Sequence, residues 1–352
     1  MTAISGAQEV GGEYPLCEFP ADGWDPWPAE RRFFASGRAA LYAVYRQWAE
    51  RHPRAQLWLP DYLCSDLVSS LLLLDIPIQF YSDDPERIGP DLDHLRAAAG
   101  DMVLAVNYFG VRSGDPWRAW RESVPAVALV EDHTHDPQSL WARSSIADFA
   151  FASLRKTIPI PDGAIAWSPR LLSLPEAVPG GADLGSSLKL AAMLYKNRYL
   201  DSGETLPGLK EAFLQLQKRG EQLLLEPDSG AISGWSEDAV GRGAPSLWRS
   251  QRERNVRSLL ELAPNVTGGK PLFLFWPAGH CPFNAIYLFK DETARDLVRS
   301  RLIASQVYTP VHWPLGNASE RSMDLSKRIL TIPVDFRCGD DQIQRIATLL
   351  MS

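Results

Sequence analysis

The sequence predicts an α/β protein: a large domain on a mostly parallel sheet covered by helices, then a smaller C-terminal α+β domain. Three observations predict it. Short apolar runs alternate with helix-period segments from residue 37 to about 167, the pattern of a parallel sheet with both faces covered. From about residue 270 the chain changes character, with strands and helices in a different arrangement. Finally, 352 residues at 45% hydrophobic and 22% charged content make an ordinary globular chain, long enough for two domains. The expected division is an arm over 1–30, a large domain over 31–245 and a smaller domain over 246–352.

Each element follows from local pattern. The first thirty residues are rich in Gly and Pro and read as an irregular arm. Residues 37–51 carry Leu41, Val44, Tyr45 and Trp48 at helical spacing and predict an amphipathic helix. A strand follows at 56–59, a helix at 65–74 stopped before Pro77, and a strand at 78–81. Next come a helix at 92–99, a strand at 102–107, a short helix at 117–123 and strands at 127–130, 149–152 and 165–167. Residues 185–226 read as helical with a break at 201–207, and 227–245 as a Gly- and Ser-rich loop. A helix at 246–262 leads into strands at 272–275 and 285–289 and a helix at 293–303. A strand at 329–332 and a helix at 341–351 close the chain.

Composition narrows the function. The formal charge is −7 and no basic stripe stands out, so nucleic acid is not an expected partner. Cys17, Cys64, Cys281 and Cys338 lie far apart and form no CxxC pair, which fits a reducing cytoplasm rather than a disulfide or zinc scaffold. The N-terminus lacks the basic and apolar regions of a signal peptide. The greasiest run, 67–78, is too short and too interrupted by Ser69, Ser70, Asp75 and Pro77 to span a bilayer. A cytoplasmic protein with no membrane partner is expected.

In doubly covered parallel sheets ligands sit at the carboxyl ends of strands, and four stretches there carry chemistry. Ser36-Gly37-Arg38 opens the first long helix; its free N–H groups and the positive helix end suit an anion, although Ser36 also reads as a plain N-cap. Glu131-Asp132-His133-Thr134-His135-Asp136 follows an apolar strand, where a carboxylate can hold a pyridinium nitrogen protonated. Its His-x-His pair is also plausible metal-ligand chemistry, with His280 or His312 as further candidates. Ser153-Leu154-Arg155-Lys156 ends another strand, where a lysine can form a Schiff base and Ser153 and Arg155 can hold a phosphate beside it. Near the C-terminus, His312 in VYTPVHWPL and Arg337 in ILTIPVDFR could close over a substrate.

In this order the stretches resemble the DegT/DnrJ/StrS aminotransferases, which belong to pyridoxal-phosphate (PLP) fold type I and act typically on sugars. FFASGRAAL resembles that family's phosphate loop, and LPDYLCSDLVSSL its Pro-initiated segment near the cofactor ring. VNYFGV resembles its strand-to-loop segment, LVEDHTHD its Glu-Asp motif and FASLRKTIPIPDGAIAW its lysine segment. VYTPVHWPL and ILTIPVDFR resemble its C-terminal signatures, so that the likeness spans about 33–351. The resemblance implies PLP as cofactor, on Lys156. It implies Asp132 at the pyridine nitrogen, His135 near the ring hydroxyl, and Ser36, Gly37, Arg38 and Ser153 at the phosphate. It further implies substrate contacts from His312 and Arg337, an amino-acid donor, a keto-sugar or related carbonyl acceptor, and a homodimer.

The chain departs from the family in places. Cys64 stands near the position of the usual stacking ring, with Tyr62 two residues away. Ala164 follows Gly163 where Gly-Gly is usual, and 170–245 matches poorly. Two other readings stay open at this level: a non-catalytic binding or regulatory protein with the PLP fold, and a metal-dependent hydrolase using His133 and His135.

Overall fold

A computed structural model describes residues 9–19, 25–203, 206, 208–225, 230–316 and 318–352. The first half contains β1 (Val10–Gly11), β2 (Arg31–Phe34), α1 (Gly37–Arg51), β3 (Leu57–Pro60), α2 (Ser65–Leu72), β4 (Ile78–Tyr81), β5 (Met102–Val106) and α3 (Asp115–Ser123). It continues with β6 (Ala128–Asp132), α4 (Leu140–Arg143), β7 (Phe149–Ser153) and β8 (Ala164–Trp167). The helices α5 (Asp183–Asp201), α6 (Leu209–Leu224), α7 (Gly234–Gly241) and α8 (Ser246–Leu262) follow. The last third holds β9 (Gly269–Pro271), β10 (Ala285–Phe289), α9 (Glu292–Ala304), β11 (Val307–Tyr308), α10 (Glu320–Arg328), β12 (Ile329–Ile332) and α11 (Asp340–Met351).

The expected parallel sheet is the central feature. Seven strands run in the order β2-β8-β7-β6-β5-β3-β4. The ladders joining β4, β3, β5, β6 and β7 are parallel, while β8 and β2 add an antiparallel edge. Period-two alternation sends Leu57, Leu59, Met102, Leu104, Val106, Ala128 and Val130 to one core. Val103, Ala105 and Leu129 go to the other, against Trp117, Trp120 and Trp141 of α3 and α4. The first face is covered by α1, through Leu41, Val44 and Tyr45, and by Ile286, Leu288, Leu325 and Ile329 from the C-terminal third. Each fully buried Leu or Val contributes about 1.5–3 kcal/mol, which makes this shared core the main cohesive term between the two sheets.

The smaller sheet is antiparallel, in the order β12-β10-β9, and packs on α8, α9 and α11 through Val256, Leu259, Val298, Leu302, Ile343 and Ile346. Ion pairs and hydrogen bonds stitch it to the large sheet: Arg321 Nε meets Asp84 Oδ2 at 2.7 Å, and the Ser65 hydroxyl donates to the Pro314 carbonyl at 2.9 Å.

Four expectations are corrected. Residues 92–99 form no helix, because the Asp101 carboxylate takes the N–H groups of Ala98 and Gln56 and the indole N–H of Trp58, competing with a helical ladder. Residues 234–241 are helical rather than loop, since Ser233 caps α7 by accepting from the Ser236 N–H. The strand expected at 272–275 lies at Gly269–Pro271, and residues 320–328, read as neither, form α10. The arm is not wholly irregular: β1 pairs in parallel with β11. The part of the arm at 1–8 and 20–24, and part of the expected break at 201–207, lie outside the described residues.

Candidate active site

The carboxyl ends of β6 and β7 assemble the centre. In register Asp132 faces Phe151, so Asp132 stands beside the strand that ends two residues later at Ser153. Thr134 ties the two ends: its N–H donates to Asp132 Oδ1 at 2.8 Å and its hydroxyl accepts from the Ser153 N–H at 3.0 Å. A short 3-10 turn, Leu154–Lys156, then delivers Lys156 as an exposed side chain at a cavity wall. Helix α1 begins against the same strand end. The Ser36 side-chain oxygen accepts from the Ala39 N–H at 3.2 Å. A Cβ on Gly37 would stand 3.4 Å from both the Phe151 ring and Ser153 Cβ, which places the start of α1 within van der Waals reach of the β7 end.

Asp132 is half-buried, and burial raises its carboxyl above the usual carboxylate value. Its hydrogen-bond partner is the Thr134 N–H, and among the described residues no basic group reaches it within ion-pair distance. A half-buried carboxylate at a strand end without a cation is a costly arrangement that a cationic ligand would relieve.

Two imidazoles lie nearby, both held neutral. His135 is stacked among Phe109, Phe283 and Trp313, and its Nδ1 accepts from the Phe109 N–H at 3.0 Å, so any proton sits on Nε2. Burial, helped by the Lys156 charge and the neighbouring His312 ring, holds His135 well below the ordinary histidine value. His312 Nδ1 is 2.8 Å from the Thr331 hydroxyl; burial and the Lys156 charge bring it down to about 3. Tyr62 is fully buried and donates its hydroxyl to the His312 carbonyl, so it supports His312 from below. Cys64 is half-buried just before α2 and lies close enough to Arg38 to act on its charge.

Three basic groups converge on Glu221 of α6. Arg155 donates through both terminal nitrogens, Lys189 Nζ lies at 2.7 Å and Arg38 at 3.9 Å. Burial alone would raise Glu221, but Arg155 and Lys189 hold its carboxyl far below the usual range. The Nε atoms of Arg38 and Arg155 are buried without a partner. Arg38 also donates to the Leu224 carbonyl at 3.2 Å.

A cavity of about 680 Å³ brings Lys156, His312 and Arg337 together. Ser36, Gly37, Arg38, Tyr62, Cys64, Asp132, His135 and Ser153 do not line it. Arg337 is engaged: it pairs bidentately with Asp335, at 2.9 and 2.6 Å, donates to the carbonyls of Glu13 and Gly12, and lies over the Tyr14 ring. It therefore anchors the N-terminal arm across the cavity. The arm is held from the other side by Lys196, whose Nζ meets Glu9 at 3.1 Å and the Glu13 carbonyl at 2.7 Å. Glu13 projects onto the same cavity; burial works to raise its carboxyl, but Lys189, Lys156 and Arg155 outweigh that and hold it below the usual range. Sequence reasoning missed Glu13, Lys189 and Glu221. They lie in segments without a motif, and only the packing of the arm, α5 and α6 beside the 3-10 turn brings them to the neighbourhood of Lys156.

His133 and His135 are separated in environment. His133 Nε2 pairs with Glu131 at 2.9 Å between Trp141 and Trp167. Among the described residues no three His, Cys, Asp or Glu side chains gather as a possible metal site.

No protein-family profile and no curated protein matches this sequence. Solved structures do. The apo-form of the putative sugar aminotransferase Spr1654 from Streptococcus pneumoniae superposes with a TM-score of 0.61 at 14% identity, over 97% of this chain and 90% of that one. A DegT DnrJ EryC1 StrS aminotransferase from Brucella abortus gives 0.57 at 14% identity, over 91% and 85%. The aminotransferase TlmJ from Streptoalloteichus hindustanus gives 0.57 at 13%, over 91% and 84%. At these identities the likeness is one of architecture, and the chain has the fold of these aminotransferases, PLP fold type I.

Proposed function

We propose that this protein is a PLP-dependent aminotransferase that moves an amino group from an amino-acid donor to a carbonyl metabolite, with a keto-sugar as the favoured acceptor. The observation that carries this reading is the unpaired Asp132 carboxylate beside the Ser153–Lys156 strand end and the Gly37-opened helix. A pyridinium nitrogen supplies the cation that Asp132 lacks, and the buried, unpartnered Nε–H groups of Arg38 and Arg155 suit a nearby phosphate. The residues present thus fit the cofactor.

In this reading Lys156 would hold the cofactor's carbonyl carbon, Asp132 its ring nitrogen and His135 its hydroxyl side. Ser36, Gly37, Arg38 and Ser153 would hold the phosphate, and Tyr62 and Cys64 would back the ring from behind the open cavity. PLP, when bound, supplies an electron sink for charge developing at the substrate's α-carbon. The protein supplies the proton work. The Lys156 amine takes the proton from that carbon and returns it, acting as the base at the cavity wall. His312, neutral and steadied by Thr331 and Tyr62, offers its remaining ring nitrogen to the substrate.

A sugar acceptor is supported by the likeness to DesI, solved in the presence of its TDP-sugar product, at a TM-score of 0.56 and 17% identity. A homodimer and a cytoplasmic location belong to the same reading. The four cysteines are free, and among the described residues no helix is long and apolar enough to cross a membrane. The deciding experiment is cofactor capture. Protein mixed with PLP and reduced with borohydride is expected to carry the label on Lys156 in a peptide map, and an amino donor such as glutamate is expected to change the visible spectrum. A label on another lysine refutes the assignment. Cofactor binding without conversion by any amino acid favours the non-catalytic alternative.

A further inference from the structure

The N-terminal arm is fixed to the cavity wall through its backbone and its tyrosine, and its acid is left over. Gly11 lies flush on β11: a Cβ there would stand 2.6 Å from both Pro333 Cγ and the Tyr308 carbonyl oxygen, and its φ of 81° is left-handed, so the position requires glycine. Two residues on, the Glu13 carbonyl accepts from Lys196 Nζ at 2.7 Å and from Arg337 Nη1 at 3.2 Å. Tyr14 then stacks on Phe336, with ring centroids 5.8 Å apart, and its hydroxyl donates to the Lys156 carbonyl at 3.3 Å. These anchors set Glu13, exposed, in the cavity that Lys156 also lines.

Four acids line this cavity, and three are already paired. Glu9 meets Lys196 at 3.1 Å and Lys210 at 2.9 Å, Glu221 is held by Arg155 and Lys189, and Asp335 by Arg337. Among the described residues the fourth, Glu13, has no cation within ion-pair distance of its carboxylate, and Lys156 has no acid within that distance of its amine. The two still feel each other: burial acts to raise the Glu13 carboxyl, but Lys189, Lys156 and Arg155 outweigh it and keep it ionised. A lysine that works as a base becomes a cation the moment it takes up a proton. Arg155 and Lys189 already place positive charge nearby, so a new ammonium there needs an anion that is not yet engaged. Glu13 is the acid that remains.

We infer that Glu13 is the counter-ion of Lys156: when the lysine amine takes the proton from the substrate carbon, the arm's carboxylate balances the new ammonium, and it lets go when the proton is returned. The inference rests on the aminotransferase reading for the proton that Lys156 moves. Glu13 forms and breaks no covalent bond. It is a positioning residue that acts through Lys156, and it makes the arm a working part of the site.

Acetylation by acetic anhydride, an uncharged reagent that attacks only the free amine, tests the pairing without turnover. Full-length protein is first cleared of carbonyl compounds with hydroxylamine, and peptide mapping compares Lys156 with the exposed Lys290 in the same sample. At pH 8, Lys156 of Glu13→Gln is expected to label about fivefold faster than in wild type, because a neutral amide no longer favours the ammonium. The ratio is expected to fall below about twofold at pH 10.5, where a lysine amine is largely free without help. An arm that had merely loosened would raise labelling by the same factor at both pH values. Glu13→Asp keeps the charge and is expected to label within about twofold of wild type. With PLP and an amino donor that wild type converts, Glu13→Gln is expected to convert about tenfold more slowly at saturating donor, with half-saturation changed less than twofold. Equal labelling of Glu13→Gln and wild type at pH 8, or a ratio that persists at pH 10.5, overturns the pairing, and conversion as fast as wild type overturns its part in the proton transfer. If borohydride fixes no PLP on Lys156 while the pH-dependent ratio holds, the transaminase reading falls and the pairing stands.

Discussion

Asp162 provides a sharp test of how the lysine segment is held. Its fully buried carboxylate has no ion-pair partner among the described residues. Oδ1 accepts from the hydroxyls of Ser186 at 2.7 Å, Ser233 at 2.6 Å and Ser236 at 2.5 Å, and Oδ2 from the Ser233 N–H at 2.8 Å. This joins the turn six residues after Lys156 to α5 and α7. In Asp162→Ala the Ser233 N–H is left buried without an acceptor, which costs about 1–3 kcal/mol. The three hydroxyls retain partial partners, since Ser233 already bonds Ser186 and Ser236, so their loss is nearer 0.5–1 kcal/mol each. The total is about 2.5–6 kcal/mol. With an unfolding entropy of about 2.1 cal/mol/K per residue over 352 residues, the melting temperature should drop by about 3–8 °C. Asp162→Asn keeps the Oδ1 acceptor but sets its amide N–H₂ against the Ser233 N–H, and about half the loss is expected. Calorimetry reads both. Melting temperatures within 1 °C of wild type for both variants would refute the claim that this carboxylate fastens the turn.

Asp132→Asn should still bind PLP but transfer amino groups slower by orders of magnitude, because a neutral amide cannot keep the ring nitrogen protonated; near-normal turnover would give Asp132 another role. Arg337→Ala should free the arm: cleavage by a glutamate-specific protease after Glu13 and Glu18 should speed up about tenfold, and stability should fall by about 2–4 kcal/mol as Asp335 loses its partner. If donor affinity alone changes while the arm stays protected, Arg337 belongs to substrate and not to the arm. His135 and His312 make stability depend on pH. Both are neutral in the folded protein, with His312 at about 3 against an ordinary 6.5, so the unfolded chain binds more protons in that window. Stability from this source is complete above pH 6.5 and falls as the pH drops, by up to about 1.4 kcal/mol per unit for the buried His135 ring and less for half-open His312. A His135→Gln, His312→Gln double variant should melt with a flatter pH dependence between pH 4 and 6.5, and a slope equal to wild type would disprove it.

Much of the fold was legible because its signals are local. The parallel strands β3, β5, β6 and β7 are largely buried and read as short apolar runs, and α1, α8, α9 and α11 follow hydrophobic periodicity that needs no partner to be seen. The motif stretches containing Ser36, Asp132, Ser153 and Lys156 were visible for a related reason: each ends a strand or opens a helix, where backbone geometry makes side-chain identity informative. The elements that were misread fail where side chains override propensity. Asp101 keeps 92–99 out of a helix, and Ser233 with Asp162 nucleates α7 in a segment whose glycines suggest loop.

What the sequence by itself determined, then, is which residues end the strands and which faces seek a core, because hydrophobic period and turn chemistry are written in neighbouring residues. Which charges are free was decided by tertiary structure alone. Arg337 reads as a substrate anion binder in one dimension. Only the fold places Asp335 and the arm carbonyls on it. The physical reason is that ion pairing depends on separations of a few ångströms between residues far apart in the chain, and no local pattern encodes those separations.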